Sequence, residues 1–242
     1  MGQHKRNAPR KRLTVAVCIP TIPGREALLR RAVTSVHAQT WRPDRILVGL
    51  DDERKGAAAT RNRLLAKADT DVVAWLDDDD WLNPNHLSTC LRILHERPGV
   101  DLVYPTPIME PRQRIGDTIR HPQCPAAVTH QGRFPVSPWG LRFCPEFADH
   151  IRRNGSFIPM THLVRTAKAL EAGGFPDGIT LESGRYQGED ERYLINLLDA
   201  GAVFEHVDRA TWHWYANPKS TAGRGHTPLI ALPSTSRTAV AP

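Results

Sequence analysis

Short apolar segments alternate with amphipathic segments along the first hundred residues, and this alternation constrains the fold more than any other feature. The apolar segments are Leu13–Ile19, Ile46–Leu50 and Val72–Leu76, each of a length that suits a buried strand. Between them, apolar side chains recur at helical spacing in segments that begin at Arg25 and Gly56. Strands and helices that alternate through short connections form a mainly parallel sheet with helices on both faces. We therefore predict an α/β fold of this type in a single domain.

Later elements follow the same pattern less evenly. Asn83 as N-cap and Pro84 at the first helical position predict the start of a helix. The other predicted elements are strands at Val100–Tyr104, Val203–Val207 and Thr211–Tyr215, a helix over Thr166–Ala172 that ends at Gly173-Gly174, and a helix between Gly188 and Gly201. Residues 105–156 contain many Pro residues with scattered Arg and His, which predicts long loops that serve as a lid or an acceptor surface.

Polar residues follow each of the first three predicted strands. The strands run into Pro20-Thr21, Asp51-Asp52 and Asp77–Asp80. In open parallel sheets, ligands bind outside the carboxyl ends of the strands. Each Asp pair alone is compatible with turn chemistry. Three polar strand ends at one edge of a sheet together favour a binding site.

The four consecutive carboxylates of Asp77–Asp80 are the most charged of these strand ends. Two unit charges about 4 Å apart repel by about 4 kcal/mol at an effective dielectric of 20, so such a cluster requires counter-charge. A solvated acidic turn is one interpretation, since charge runs usually lie in solvent. A site for Mg²⁺ or Mn²⁺ is the other, because these hard cations prefer oxygen ligands and often share them with phosphates.

Composition excludes several classes of protein. Hydrophobic residues make up 40% of the 242 residues and no apolar stretch approaches the roughly 18 residues of a membrane span, so we expect a soluble, cytoplasmic protein. The net charge of +6 comes from two tails, because residues 1–12 carry five Lys or Arg and residues 216–242 carry three, with no acid in either. We predict that both tails are disordered. Contact of the tails with nucleic acid is an alternative that their charge leaves open.

The order of these motifs resembles the family-2 glycosyltransferases, which have the GT-A fold, a Rossmann-like α/β sheet. The resemblance covers residues 13–215. It is carried by Ile19-Pro20-Thr21, Asp51-Asp52, Gly56 with Arg61-Asn62, Leu76–Asp80 with Pro84, Gly173-Gly174-Phe175, Glu189-Asp190 and His213. It implies a nucleotide-sugar-binding half over residues 13–104 and an acceptor-binding, catalytic half over residues 105–215 of the same domain.

The resemblance also implies roles on the donor side. Asp79 is the expected direct ligand of a divalent metal, Mn²⁺ or Mg²⁺, with Asp77 beside it and His213 as a further ligand. Asp77 and Asp78 are expected near the ribose and the metal's waters. The donor nucleoside would be held by Pro20, Thr21, Asp51 and Asp52, and Arg61 would point toward the nucleotide or its phosphates. The alternatives are that Arg61 is a solvent-exposed helix residue and that His213 is a packed polar residue.

Glu189-Asp190 is the expected catalytic pair. By resemblance, Asp190 is the general base that deprotonates the acceptor hydroxyl, and the anomeric carbon is inverted. A structural interpretation competes, because acids in the first turn of a helix interact favourably with its dipole by about 0.3–1 kcal/mol.

Together these features predict a metal-dependent inverting glycosyltransferase that uses a UDP- or GDP-sugar, with the acceptor left open. A sugar-nucleotide nucleotidyltransferase is an alternative, but it requires a Gly-rich loop after the first strand, where this chain has Pro20–Gly24 with a single Gly. The other alternative is a non-catalytic binding protein whose basic tails contact nucleic acid.

Overall fold

The computed structural model describes residues 11–110, 120–121, 124–128, 145–154, 156 and 158–215. The strands are β1 (Val15–Thr21), β2 (Arg45–Leu50), β3 (Val72–Trp75), β4 (Trp81–Leu82), β5 (Leu102–Glu110), β6 (Arg120–His121), β7 (Cys124–Val128), β8 (Leu163–Arg165), β9 (Ile179–Thr180), β10 (Tyr186–Gln187) and β11 (Phe204–Tyr215). The helices are α1 (Glu26–His37), α2 (Ala57–Lys67), α3 (His86–Glu96), α4 (Pro145–Asn154), α5 (Thr166–Glu171) and α6 (Glu189–Asp199).

Seven strands form the central sheet in the order β2-β1-β3-β8-β5-β11-β4. The pairs β1–β2, β1–β3 and β5–β11 are parallel, while β8 is antiparallel to both β3 and β5, and β4 is antiparallel to β11. Five of the seven strands therefore run in one direction. The predicted mainly parallel sheet is confirmed.

Alternate side chains of the sheet enter two separate cores. In β1, Val15, Val17 and Ile19 face one core, and Ala16 and Cys18 face the other. This alternation is the period-2 geometry of a strand that is buried on both faces. The first core receives apolar residues of α1 and α3, and the second receives those of α2, α4, α5 and α6. Helices thus cover both faces, as predicted.

The third helix begins later than predicted, so Asn83 and Pro84 are not its N-cap and first residue. The amide of Asn83 donates to the carbonyl of Thr211 on β11 over 2.9 Å, and the amide of His86 donates to the carbonyl of Asn83 over 3.0 Å. Asn83 and Pro84 are therefore the first two residues of a turn that precedes α3, a placement both residue types favour. The short strand β4 immediately upstream makes this turn necessary, because it holds the chain beside β11.

The C-terminal part of the described chain differs from prediction in one respect. The two predicted strands at Val203–Val207 and Thr211–Tyr215 form the single strand β11, which pairs with β5 throughout and shifts register between Val207 and Trp212. Those irregularities lie where the sequence pattern suggested a break between two strands.

Helix α5 ends as predicted, and its end is locked to α2. Gly173 and Gly174 have φ of +83° and +68°, and a Cβ on Gly174 would lie 2.4 Å from Oδ1 of Asn62. Asn62 accepts a hydrogen bond from the Phe175 amide over 2.8 Å and donates to the Phe175 carbonyl over 2.7 Å. The glycines thus allow the backbone to approach Asn62 closely, and Phe175 is fixed against α2.

Both predicted tails lie largely or wholly outside the described residues, as does much of residues 105–156. Within the described ranges, none of the helices combines the length and the apolar character needed to cross a bilayer.

Candidate active site

The carboxyl ends of β1, β2 and β3 meet at one edge of the sheet, as the sequence predicts. Cys18 pairs with Trp75, so the parallel register continues three residues further to place Thr21 level with Asp78. The hydroxyl of Thr21 donates to Oδ2 of Asp78 over 2.5 Å. On the other side of β1, the Asp51 amide donates to the Thr21 carbonyl over 2.9 Å. All three predicted strand ends are therefore joined through Thr21.

The Asp51-Asp52 pair divides into two roles. The two carboxylate oxygens of Asp51, a buried residue, accept the amides of Lys55 and Gly56 over 2.8 and 2.9 Å. Asp51 therefore closes the loop that leads into α2. Asp52 is exposed, and its carboxylate accepts a local hydrogen bond from the Glu53 amide over 3.1 Å. Of the pair, Asp52 is the one whose carboxylate is open to a ligand.

Two arginines of the first helical segment neutralise the acidic loop Asp77–Asp80. Arg25 forms an ion pair with Asp78 over 2.9 Å and a second with Asp79. Arg31 donates to the Asp79 carbonyl over 2.5 Å, and its guanidinium lies 4.0 Å above the ring of Trp81. The interpretation as a solvated acidic turn is wrong, because Asp78 and Asp80 are each only 2% exposed.

Asp80 has a structural contact at this edge. Its Oδ1 accepts the Tyr215 amide over 2.9 Å, which joins the acidic loop to the end of β11. Burial raises the pKa of Asp80 well above its ordinary value, and the charges of Asp77 and Asp79 add to this rise.

Burial is also the first cause of raised pKa values at two neighbouring carboxyls. It raises the pKa of Asp78 to about 6, against the lowering effects of the Thr21 hydrogen bond and the Arg25 charge. The pKa of Asp79 is raised by burial and by the charge of Asp77, and Arg25 again acts in the opposite direction. Arg25 thus offsets only part of the cost of burying these two carboxylates.

The donor atoms of this loop fit a hard divalent cation, although they do not surround one. Asp77 and Asp79 supply carboxylate oxygens, the ligands that Mg²⁺ and Mn²⁺ prefer. Among the described residues, no group of three His, Cys, Asp or Glu side chains is placed to hold a metal. An ion bound to one or two of these carboxylates would need its remaining ligands from water or from a phosphate-bearing substrate, as is common for Mg²⁺.

His213 lies near this loop through contacts with β4. Its ring stacks on Trp81, with centroids 4.6 Å apart and planes 11° apart, and its Nε2 lies 3.1 Å from Oδ1 of Asn83. The structure therefore packs His213 as a polar residue. Binding of a metal through Nε2 would require it to leave Asn83.

Arg61 is buried between the acidic loop Asp77–Asp80 and the start of α6. Its Nη2 donates to Oδ1 of Asp77 over 2.9 Å, and its Nη1 donates to Oε1 of Glu189 over 2.8 Å. Only 6% of Arg61 is exposed, so the alternative of a solvent-exposed helix residue is wrong. This guanidinium brings Asp77, at the end of β3, and Glu189, at the start of α6, into one cluster.

Glu189 and Asp190 lie in the first turn of α6, where the helix dipole favours carboxylates. Asp190 is exposed, and its Oδ1 accepts the Glu191 amide over 2.8 Å. The surrounding protein and then the charge of Glu189 raise the pKa of Asp190, while Arg61 opposes the rise. Because the side chain is exposed, water screens part of this shift. Its position suits a group that meets a substrate from solvent.

Sequence reasoning missed Arg25 and Arg31 as members of the site. The signal that points to Arg25 is its position in the turn that follows the first strand, four residues after Thr21. The requirement of the four carboxylates for counter-charge was evident, but nothing in the helical pattern distinguishes Arg31 from its neighbour Arg30. Pro20, the remaining predicted donor residue, lies in β1 beside Gly49 of β2.

Comparisons with known proteins show which family part of the chain resembles and which fold the chain shares. A family model described as Glycosyl transferase family 2 matches residues 50–154, which include Asp51, Asp52, Arg61 and Asp77–Asp80. This match confirms the resemblance to family-2 glycosyltransferases. No curated protein matches the chain significantly.

Among solved structures, residues 1–349 of S. aureus TarS in complex with UDP-GlcNAc superpose with a TM-score of 0.60 at 14% identity, over 88% of this chain and 62% of that one. The same TarS fragment in complex with UDP gives a TM-score of 0.55 at 16% identity, over 85% and 61%. Full TarS gives 0.57 at 15% identity, over 85% and 37%. The likeness establishes the GT-A fold, and the chain spans about three fifths of the TarS fragment.

Proposed function

We propose that this chain, with its match to the family-2 glycosyltransferase model, is an enzyme that transfers a sugar from a nucleotide-diphosphate donor to an acceptor hydroxyl. One observation carries the proposal: the polar ends of three adjacent parallel strands converge on Asp77–Asp80, and Arg61 joins that loop to the Glu189-Asp190 pair. A donor-binding edge and a candidate base thus lie on either side of one buried guanidinium.

The donor side is proposed to bind a nucleotide through the strand ends. Asp52 offers an exposed carboxylate to a ribose hydroxyl or to an N–H of the base, while Pro20, Thr21, Asp51 and Asp78 shape the floor of that site. A UDP-sugar is the first donor to test, because TarS was crystallised with UDP-GlcNAc and with UDP. A GDP-sugar is the second.

A divalent metal, Mn²⁺ or Mg²⁺, is proposed to bind Asp79 and Asp77, with His213 as a further ligand. When bound there, such an ion offsets the negative charge that develops on the leaving diphosphate. Arg25 and Asp79 form an ion pair. Before Asp79 can bind a metal ion, Arg25 therefore has to release or share the Asp79 carboxylate.

Asp190 is proposed to act as the general base. The acceptor oxygen would attack the anomeric carbon while the bond from that carbon to the diphosphate oxygen breaks. The acceptor proton passes to Asp190 and the nucleoside diphosphate leaves with the bonding electrons. A single displacement of this kind inverts the anomeric carbon. A positioned base contributes about 10²–10⁴-fold to such a reaction.

A thermal-shift screen tests the proposal and identifies the donor class. UDP-, GDP-, CMP- and dTDP-sugars are added singly to the protein, with and without Mn²⁺. We expect one nucleotide class, UDP first, to raise the melting temperature, and to do so more strongly with Mn²⁺, because a ligand that binds only the folded state stabilises it. The proposal would be contradicted if none of these nucleotide sugars stabilised the protein and none served as a donor in a transfer assay.

A further inference from the structure

The buried position of Arg61 is difficult to reconcile with a direct role in donor binding. Each terminal nitrogen of its guanidinium donates to a carboxylate, Nη2 to Asp77 at 2.9 Å and Nη1 to Glu189 at 2.8 Å. Its Nε is buried and has no hydrogen-bond partner among the described residues. The Arg61 side chain is only 8% exposed, so turning it toward a diphosphate would break an ion pair of a buried guanidinium, which costs several kcal/mol.

A second connection, made by aromatic rings, joins the end of β3 to α6. Trp75, the last residue of β3, packs edge-on against Phe175 with ring centroids 5.0 Å apart. Phe175 in turn stacks on Tyr193 of α6 with centroids 3.9 Å apart. The three rings therefore link the end of β3 to α6, and Arg61 joins Asp77, two residues after Trp75, to Glu189 of the same helix.

Arg61 is itself fixed to this aromatic layer. Its guanidinium carbon lies 5.5 Å from the centre of the Phe175 ring. The adjacent residue of α2, Asn62, forms the two hydrogen bonds with the Phe175 backbone described above. The guanidinium is therefore held from below by the ring and from its own helix by Asn62. Its planar fork presents two donors at a fixed spacing, which a lysine cannot do.

From this geometry we infer that Arg61 is a positioning residue, which holds the Glu189-Asp190 turn at a fixed distance from the acidic loop and does not itself bind the donor. Asp190 follows Glu189 directly, so a shift of Glu189 moves the candidate base. Displacements of about 1 Å in such a constellation cost on the order of 10²-fold in rate. The inference rests on the proposed function and assigns Arg61 a different role from the one that the family resemblance suggested.

Four variants test this role: Arg61→Met, Arg61→Lys, Glu189→Gln and the double variant Arg61→Met with Glu189→Gln. Lys67→Met, an exposed residue of the same helix, is the control. For each, the donor Kd is measured by calorimetry with UDP-GlcNAc or the donor found in the screen, and kcat and acceptor KM are measured in a transfer assay.

We expect Arg61→Met to lower kcat by about 10²-fold while the donor Kd changes by less than about threefold. Arg61→Lys, which keeps the charge but loses the fork, should recover part of kcat. Because Arg61 acts through Glu189, the double variant should lose no more than the worse single variant, which is the signature of coupled residues. Lys67→Met should behave as the wild type.

Three results would overturn the inference. These are a donor Kd that rises tenfold or more in Arg61→Met with kcat unchanged, losses that multiply in the double variant, and full activity in Arg61→Met. If Arg61→Met does not fold, Arg61→Lys and Glu189→Gln decide by the same split between kcat and donor Kd. A wild-type protein without transfer activity for any donor would overturn the proposed function, and this inference with it.

Discussion

The hydroxyl of Thr21 donates to the carboxylate of Asp78 over 2.5 Å, and this bond joins the ends of two neighbouring parallel strands. Both residues are buried, at 6% and 2% exposure. A hydrogen bond from a hydroxyl to a carboxylate is short and about twice as strong as a neutral one. The floor of the candidate donor site is therefore built from its own predicted binding residues.

Thr21→Val should destabilise the protein, because it removes the donor to a buried carboxylate and leaves the shape of the side chain unchanged. Leaving such an acceptor unsatisfied costs about 1–3 kcal/mol. Urea unfolding at pH 7 measures the loss. Thr21→Ser keeps the hydroxyl and is the matched comparison, for which we expect a smaller loss. Equal stability of the Val variant and the wild type would show that the hydrogen bond contributes nothing to stability.

Arg25 should compete with a metal ion for Asp79. In the structure its guanidinium forms ion pairs with both Asp78 and Asp79. We expect Arg25→Met to bind Mn²⁺ several-fold more tightly than the wild type in the absence of donor, because no internal cation has to be displaced. Titration of free Mn²⁺ by electron paramagnetic resonance measures this affinity.

Arg30→Met is the control for that measurement, since Arg30 is an exposed residue of α1, the helix that Arg25 directly precedes. Its Mn²⁺ affinity should equal that of the wild type. An affinity that is unchanged or weaker in Arg25→Met would show that Arg25 does not oppose metal binding at Asp79.

Asp190→Asn should abolish transfer without abolishing donor binding. The amide keeps the size of the side chain but cannot accept a proton, so we expect kcat to fall by about 10²–10⁴-fold. Donor affinity, measured by calorimetry, should stay within a few-fold of the wild-type value. Asp199→Asn, at the opposite end of the same helix and paired with Arg152, should leave both quantities unchanged. Near-normal turnover in Asp190→Asn would exclude Asp190 as the base.

Stability should fall as the pH is lowered through the range in which buried His86 titrates in the unfolded chain. Nδ1 of His86 lies 3.0 Å from the Thr211 hydroxyl, and burial lowers its pKa from 6.5 to about 3. Below pH 6.5 the unfolded chain binds a proton that the folded protein does not, so folding loses up to about 1.4 kcal/mol per pH unit until about pH 3.

The contribution of His86 is isolated by comparing denaturant unfolding at pH 7 and pH 5 in the wild type and in His86→Gln. We expect the drop in unfolding free energy between these pH values to be smaller in His86→Gln. His37→Gln, at an exposed position of α1, should show the wild-type drop. An identical drop in His86→Gln and the wild type would contradict the assignment.

The sequence predicted the edge of the sheet because strand ends follow from local patterns. Apolar runs of strand length stop at Thr21, Asp51 and Asp77, and parallel pairing of adjacent strands places such ends together without any knowledge of side-chain contacts. The strands β4 and β8, with two and three residues, carry too few positions for a period-2 pattern. Their antiparallel pairing was therefore not predictable.

The partners of the acidic residues were not predictable for a different reason. Asp51 and Asp52 are adjacent and chemically identical, and only the path of the loop to Gly56 decides that Asp51 accepts its two amides. The link from Arg61 to Glu189 spans 128 residues. Such contacts depend on how α2 and α6 pack on one face of the sheet, which no local pattern encodes.

Calorimetric titration of a UDP-sugar in the presence of Mn²⁺ tests most directly whether the acidic loop is the donor site. The account predicts saturable binding to the wild type that chelation of the metal weakens. In Asp79→Asn, the affinity should fall at least tenfold, about 1.4 kcal/mol. Asp69→Asn, whose side chain is 66% exposed and lies outside the site, should bind as the wild type. Undiminished affinity in Asp79→Asn would contradict the account.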